Sequence, residues 1–252
     1  MGSNDSELIV DLFLWLKEYK DGTIKRITGF KVVPPGLDPE TNVLSKDIVI
    51  IPESDVSARI YRPNFVPNDQ KLPLAASPRA PSSYSIYKDS WASLQWVASH
   101  KEEEDGNNET WIKNYVDLDQ VYLVGDSTGA NIAHHLALRI KDSDLKVVDK
   151  WWLYVCPFDK GYDDPLINPF VDGSPDLAGL ACHRILVIVA EKDIFKDMGR
   201  FYYDKLVKSE WKGKSEIMET EGEGHVFYIF NPEFDKAKSL FKRLAAFLNQ
   251  GK

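Results

Sequence analysis

The chain has 252 residues, 43% hydrophobic and 28% charged, which suits one soluble α/β domain with a sizeable core and excludes fibrous or low-complexity classes. Lys and Arg number 31 against 39 Asp and Glu, a net charge of -8 with no basic cluster, so nucleic acid is not an expected partner. Two cysteines, Cys156 and Cys182, are too few for a disulfide framework and lack metal-ligand spacing, which favours a reducing, cytoplasmic setting.

The N-terminal LIVDLFLWL has the apolar density of a signal-peptide core, but Asp5 and Glu7 stand where positive charge belongs and Asp11 interrupts it. The start MGSNDS fits a myristoylation pattern in form only, because acidic residues follow and no basic patch supports membrane attachment. No membrane partner is expected. Leu8, Leu12, Trp15 and Leu16 lie at helical spacing and predict an amphipathic helix within residues 1–22, ending near YKDG. Further on, Arg62 to Ser85 holds five prolines and LPLAA as its one sustained apolar run, and no glycine occurs between Gly36 and Gly106. A structureless stretch of that length is at odds with a compact domain. KDSWASLQWVASH, ending at His100, then reads as an amphipathic helix, with Trp91 and Trp96 as core residues, like Trp151 and Trp152 later in the chain.

Val121 to Val124 form a short β-prone run buried on both faces, and Ala130, Ile132, Ala133, Leu136, Ala137 and Ile140 recur at helical spacing. Between them stands Gly125-Asp126-Ser127-Thr128-Gly129, so Ser127 sits in a strand-to-helix turn. Such a turn needs Gly125 and Gly129, because a Cβ at either flank would collide with a neighbouring element. It lifts the serine oxygen to the top of a sheet beside the positive end of a helix. A serine there can be a nucleophile or merely a helix cap. The choice depends on its partners.

A hydroxyl is a poor nucleophile at neutral pH and needs a base with a carboxylate to orient it. His134 and His135 lie about two turns along the helix and are directed away from the mouth of the turn. His100 ends a helix and His183 precedes the strand-like RILVIVA, Arg184 to Ala190. Asp193 follows that strand in the loop EKD. His225 follows the strand-like SEIMET in the acidic loop EGEGH, ahead of a C-terminal helix from about Pro232 to Asn249. Both therefore stand at carboxyl ends of strands, where open α/β sheets gather their site residues. The chain order Ser127, Asp193, His225 is that of the α/β-hydrolase triad. In the chemistry this implies, Ser127 attacks an ester carbonyl, His225 takes its proton, and Asp193 fixes the imidazole tautomer. The Thr128 N–H holds part of the oxyanion, and Asp126 and Asn131 brace the turn. No metal or organic cofactor is required.

KVVPPGLDPETNVLSKDIVI, VSARIYRP, KDSWASLQWVASH, VYLVGDSTGANIAHHLALRI, WWLYVCP, LVIVAEKDIFKD and ETEGEGHVFYIFNP resemble, in order, the plant carboxylesterases of the hormone-sensitive-lipase group of α/β hydrolases. The resemblance runs almost from end to end. It implies a mostly parallel central sheet with helices on both faces, a single domain over residues 1–252 with the N-terminal helix contributing to a cap, small-molecule esters as substrates, and Ser127, Asp193 and His225 as nucleophile, acid and base. Hydroxyisoflavanone dehydratases share the scaffold. Gibberellin receptors also share it but replace the catalytic histidine, so His225 speaks against receptor ancestry.

Two departures qualify the resemblance. Family members carry a His-Gly-Gly-Gly oxyanion loop after a strand beginning like KLPL, whereas this chain passes from KLPL to AASPRAPSSYSIYKDSW. A second core strand is missing where DLKV meets VDKWWLYV. By resemblance, both sheet neighbours of the strand presenting Ser127 are lost, leaving ladders of unpaired backbone groups unless KLPLAA or LKVV, both short, replaces them. The expectation is an incomplete sheet and an intact triad with weak or absent catalysis, in a chain that could instead bind a ligand or be an inactive product. One oxyanion donor alone is worth about 10²–10³ in turnover.

Overall fold

The computed structural model describes residues 7–11, 16–21, 23–26, 33–67, 70–77, 86–101, 109–142 and 168–250. Its contacts divide the chain into two compact units, Met1–Ile48 with Ser57–Asn64, and Val49–Val56 with Phe65–Lys252.

The first unit is built from antiparallel strands. β1 (Leu8–Asp11), β2 (Leu16–Tyr19) and β3 (Ile24–Arg26) form one sheet in that order. This corrects the helix expected within residues 1–22. Leu8 faces Tyr19 and Asp11 faces Lys17 across the ladder, so cross-strand pairing overrides the helical spacing of the leucines. The β-branched pair Ile9 and Val10 suits that outcome. The expected stop near YKDG is instead a hairpin turn, in which Asp21 accepts the Thr23 N–H at 2.9 Å. Residues 12–15 of the expected helix lie outside the described residues. β4 (Leu37–Asp38), β5 (Val43–Ile51) and β6 (Val56–Pro63) make a second three-stranded sheet. The Arg59 guanidinium holds both oxygens of Asp47, at 2.5 and 2.8 Å.

The second unit carries the α/β architecture: β7 (Leu72–Ala76), α1 (Ile86–Ser99), α2 (Thr110–Tyr115), β8 (Val116–Leu123), α3 (Thr128–Asp142), β9 (Arg184–Ala190), α4 (Lys196–Lys208), β10 (Lys214–Thr220), α5 (Phe227–Phe230) and α6 (Asp235–Asn249). β9 and β10 pair in parallel over seven residues, Arg184 opposite Lys214 and Ala190 opposite Thr220. Every residue of β9 after Arg184 is apolar because both of its faces are covered. Ile185 and Val187 pack in the cluster of Leu138, Leu206 and Trp211, whereas Ile188 packs with Ala190, Phe227, Ala237 and Leu240. The strand's period of two thus sends odd positions toward α3 and α4 and even positions toward α6. α4 lies so near the odd face that a Cβ on Gly199 would come within 2.5 Å of Val189 Cγ1.

β7 pairs in parallel with β8, which corrects the expectation that the strand before Ser127 loses both neighbours. Short as it is, KLPLAA fills one side. The register runs from Leu72 opposite Val116 to Ala76 opposite Leu123, with an irregularity between Pro73 and Leu74. On β8 that irregularity coincides with Asp117, which folds back to accept the Asp119 N–H at 3.0 Å and the Gln120 amide at 2.6 Å. Pro73 is tolerated because β7 is paired on one side only among the described residues. Likewise among the described residues, β7-β8 and β9-β10 are separate two-stranded sheets with no ladder between β8 and β9. LKVV, the other candidate replacement, lies outside the described residues, as do Trp151 and Trp152. On one face, α1 meets α3 through Trp91, Leu94, Ile132 and Leu136, with Leu123 of β8 packed against them.

Candidate active site

Ser127 joins β8 to α3 with φ of 52°, a left-handed conformation that a non-glycine residue adopts only when its surroundings enforce it. The enforcement comes from both flanks. A Cβ on Gly125 would lie 2.1 Å from the Gly129 carbonyl carbon, so the chain can cross itself there only with glycine. The Gly129 N–H donates to the Asp126 carbonyl at 2.8 Å and the Ala130 N–H to the Ser127 carbonyl at 3.1 Å, closing the first turn of α3. The Thr128 N–H, next in line after the serine, has no acceptor among the described residues. Ser127 itself is exposed. Asn131 extends its Oδ1 to accept the Tyr87 hydroxyl at 2.5 Å, tying α3 to α1.

Asp193 and His225 come together across the carboxyl ends of β9 and β10. Asp193 sits in a turn whose own N–H donates to the Ala190 carbonyl at 3.1 Å. One carboxylate oxygen accepts the Phe195 N–H at 2.8 Å, and the other lies 2.8 Å from His225 Nδ1. A carboxylate only accepts, so Nδ1 carries the proton and Nε2 is left as the basic nitrogen. His225 is followed by Val226 at φ of 46°, a second strained position directly beside a candidate catalytic side chain. The two loops are laced together: the Glu191 N–H donates to the Thr220 carbonyl at 3.0 Å and the Lys192 N–H to the Glu223 carbonyl at 2.8 Å. The Glu191 carboxylate accepts the Gly222 N–H at 2.6 Å, where Gly222 adopts a φ of 74°. Neither the lacing nor the role of Glu191 has a sequence signature, since each depends on two distant loops meeting.

Ser127, Asp193 and His225 all line one cavity of about 2240 Å³, which runs along the facing edges of β8 and β9. No hydrogen bond joins Ser127 to His225 among the described residues. Sequence reasoning also missed two aromatic neighbours. Phe195 sets its ring against the His225 imidazole, with centroids 5.3 Å apart at 64°. Tyr228 lines the cavity as well, and burial, together with the carboxylates of Asp126 and Asp193, holds its phenol protonated well above the usual range.

The other histidines are engaged elsewhere. His134 is buried, its Nδ1 2.9 Å from the Tyr202 hydroxyl, and burial, reinforced by neighbouring His135, depresses its pKa to about 3. His135 stands edge-on to the Tyr87 ring. His100 reaches the Trp96 carbonyl at 2.7 Å. No group of His, Cys, Asp and Glu is arranged to hold a metal ion, and no helix is long and apolar enough to cross a membrane, among the described residues.

Comparison with known proteins identifies the fold and the family. A family model for the alpha/beta hydrolase fold matches residues 73–148 and 143–229. The Arabidopsis thaliana protein "Probable carboxylesterase 2" is 42% identical over 318 aligned positions, covering 99% of each chain. The chain belongs to the plant carboxylesterase family of α/β hydrolases. This carboxylesterase-family chain has 252 residues against those 318 aligned positions, so stretches of its relative face gaps here. A 2-hydroxyisoflavanone dehydratase from Glycyrrhiza echinata is 33% identical, covering 92% of this chain and 94% of its own. Among solved structures, a thermophilic carboxylesterase from a metagenomic library superposes with a TM-score of 0.61 at 19% identity, covering 87% of this chain and 91% of its own, a likeness of fold.

Proposed function

We propose that this chain hydrolyses small-molecule carboxylic esters through Ser127, His225 and Asp193, at a rate limited by a depleted oxyanion hole. The observation that carries the reading is the 2.8 Å bond from Asp193 to His225 Nδ1, on the wall of the cavity that also exposes Ser127. His225 Nε2 removes the Ser127 proton as Oγ attacks the ester carbonyl, then returns it to the departing alcohol. Water repeats the cycle on the acyl-enzyme to release the acid. Asp193 stabilises the imidazolium formed in each half. The free Thr128 N–H is one oxyanion donor. The missing His-Gly-Gly-Gly loop would have supplied the others, so turnover should lie at least about 10²-fold below that of relatives that carry the loop. Hydrolysis of p-nitrophenyl butyrate by the purified chain beside Ser127→Ala tests this. Rates that fall to background in the variant uphold the reading, and equal rates in a folded pair reject it.

A second reading rests on the similarity to 2-hydroxyisoflavanone dehydratases, in which the His225–Asp193 pair would serve as the base for loss of water. Conversion of a 2-hydroxyisoflavanone, abolished by His225→Ala and retained by Ser127→Ala, would favour it. A single hydrolase domain over residues 1–252 and a cytoplasmic location belong to the same proposal, supported by the end-to-end relatives and by the two-cysteine composition.

A further inference from the structure

The loop that carries Asp193, together with the first turn of α4 that follows it, presents three large apolar side chains to the open cavity. Ile194 is 84% exposed, Phe195 51% and Met198 46%, and all three line the cavity that holds Ser127 and His225. The Phe195 backbone is fixed: its N–H is held by Asp193 at 2.8 Å and its carbonyl accepts the Gly199 N–H at 3.0 Å. The Phe195 ring leans edge-on against His225 and keeps about half its surface free. Large apolar groups left uncovered beside a polar relay form a contact surface for an apolar ligand.

Which part of a substrate they meet follows from the proton path. Ser127 Oγ forms the acyl bond as the bond from the carbonyl carbon to the alcohol oxygen breaks, and the proton His225 took from Ser127 goes to that alcohol oxygen. The alcohol oxygen must therefore come within a hydrogen bond of His225 Nε2, so Phe195, packed on the imidazole, faces the alcohol rather than the acyl half, and Ile194 and Met198, close to it in the chain, line the same cavity. We infer that Ile194, Phe195 and Met198 form the alcohol subsite, and that the preferred substrates are esters of lipophilic alcohols, medium-chain alkyl or arylalkyl. This inference rests on the hydrolase reading for its mechanism.

The test measures kcat/KM for the acetates of ethanol, 1-butanol, 1-hexanol and 2-phenylethanol, whose similar basicities let the series read contact rather than leaving-group reactivity. A parallel series of ethyl acetate, ethyl butanoate and ethyl hexanoate probes the acyl side. The alcohol series should rise about two- to fourfold per methylene, and the acyl series less steeply. Ile194→Ser and Met198→Ser, which leave the Phe195–His225 contact in place, should flatten the alcohol slope without changing the acyl slope. A steeper acyl series, or slopes unchanged in both variants, overturns the inference. If the chain shows no turnover that depends on Ser127, the hydrolase reading fails by itself, and calorimetric titration with 2-phenylethanol becomes the probe. Binding that weakens severalfold in Ile194→Ser upholds the subsite, and no binding to the parent chain rejects it.

Discussion

His134 should make the stability of this protein fall with acidification, by an amount that can be worked from its surroundings. It is 9% exposed on α3, shares a 2.9 Å hydrogen bond with Tyr202 of α4, and its pKa drops from 6.5 to about 3, first through burial and then through His135. Because the folded value lies below the unfolded one, the unfolded chain takes up the proton first. The contribution is complete above about pH 7 and is lost as pH falls through 6.5 toward 3. Between pH 8 and pH 5 the difference in proton binding amounts to about 2 kcal/mol, and the full shift caps the loss at about 5 kcal/mol, a large share of a typical domain's stability. Urea unfolding at the two pH values, on the parent and on His134→Gln, isolates this effect, because glutamine can still bond the Tyr202 hydroxyl but does not titrate. Other titrating groups are common to both proteins and cancel in the difference. The parent should lose about 2 kcal/mol more than the variant. Parallel pH profiles would refute the assignment of His134 as a buried neutral histidine.

Three further outcomes can be checked on the same material. Asp193→Asn should keep the turn, since the amide oxygen can still accept the Phe195 N–H, while turnover drops by about 10⁴-fold from the wrong imidazole tautomer; steady-state kinetics with circular dichroism as a folding control reads both. Gly125→Ala places a Cβ 2.1 Å from backbone atoms that cannot move aside, so the variant should lose more than about 4 kcal/mol or fail to fold, seen as insoluble expression or a collapsed melting transition. Gly199→Ala meets only the Val189 side chain at 2.5 Å, so it should cost about 1–3 kcal/mol, and Val189→Ala added to it should recover part of that loss in a double-mutant cycle by chemical denaturation.

What the sequence determined by itself is what local chemistry settles. RILVIVA reads as a doubly covered strand because nearly all of its side chains are apolar, and it is β9 end to end. GDSTG between an apolar run and a helical pattern reads as a strained elbow because only glycine lets the chain recross at Gly125, and Ser127 has the positive φ of such an elbow. The C-terminal pattern likewise becomes α6, starting three residues later than expected, at Asp235. Tertiary structure decided whatever depends on partners distant in the chain. The stretch from Leu8 to Leu16 carries a helical spacing, yet Leu8–Asp11 and Leu16–Tyr19 pair as β1 and β2, since two short segments gain more from a shared ladder than either gains from a lone turn of helix. KLPLAA looks too short to be a core strand until β8 offers it an edge and the Asp117 fold-back absorbs the register slip. The Phe195 ring against His225 and the Glu191 carboxylate capping Gly222 belong to loops about 30 residues apart, and only the parallel pairing of β9 with β10 brings them to one place.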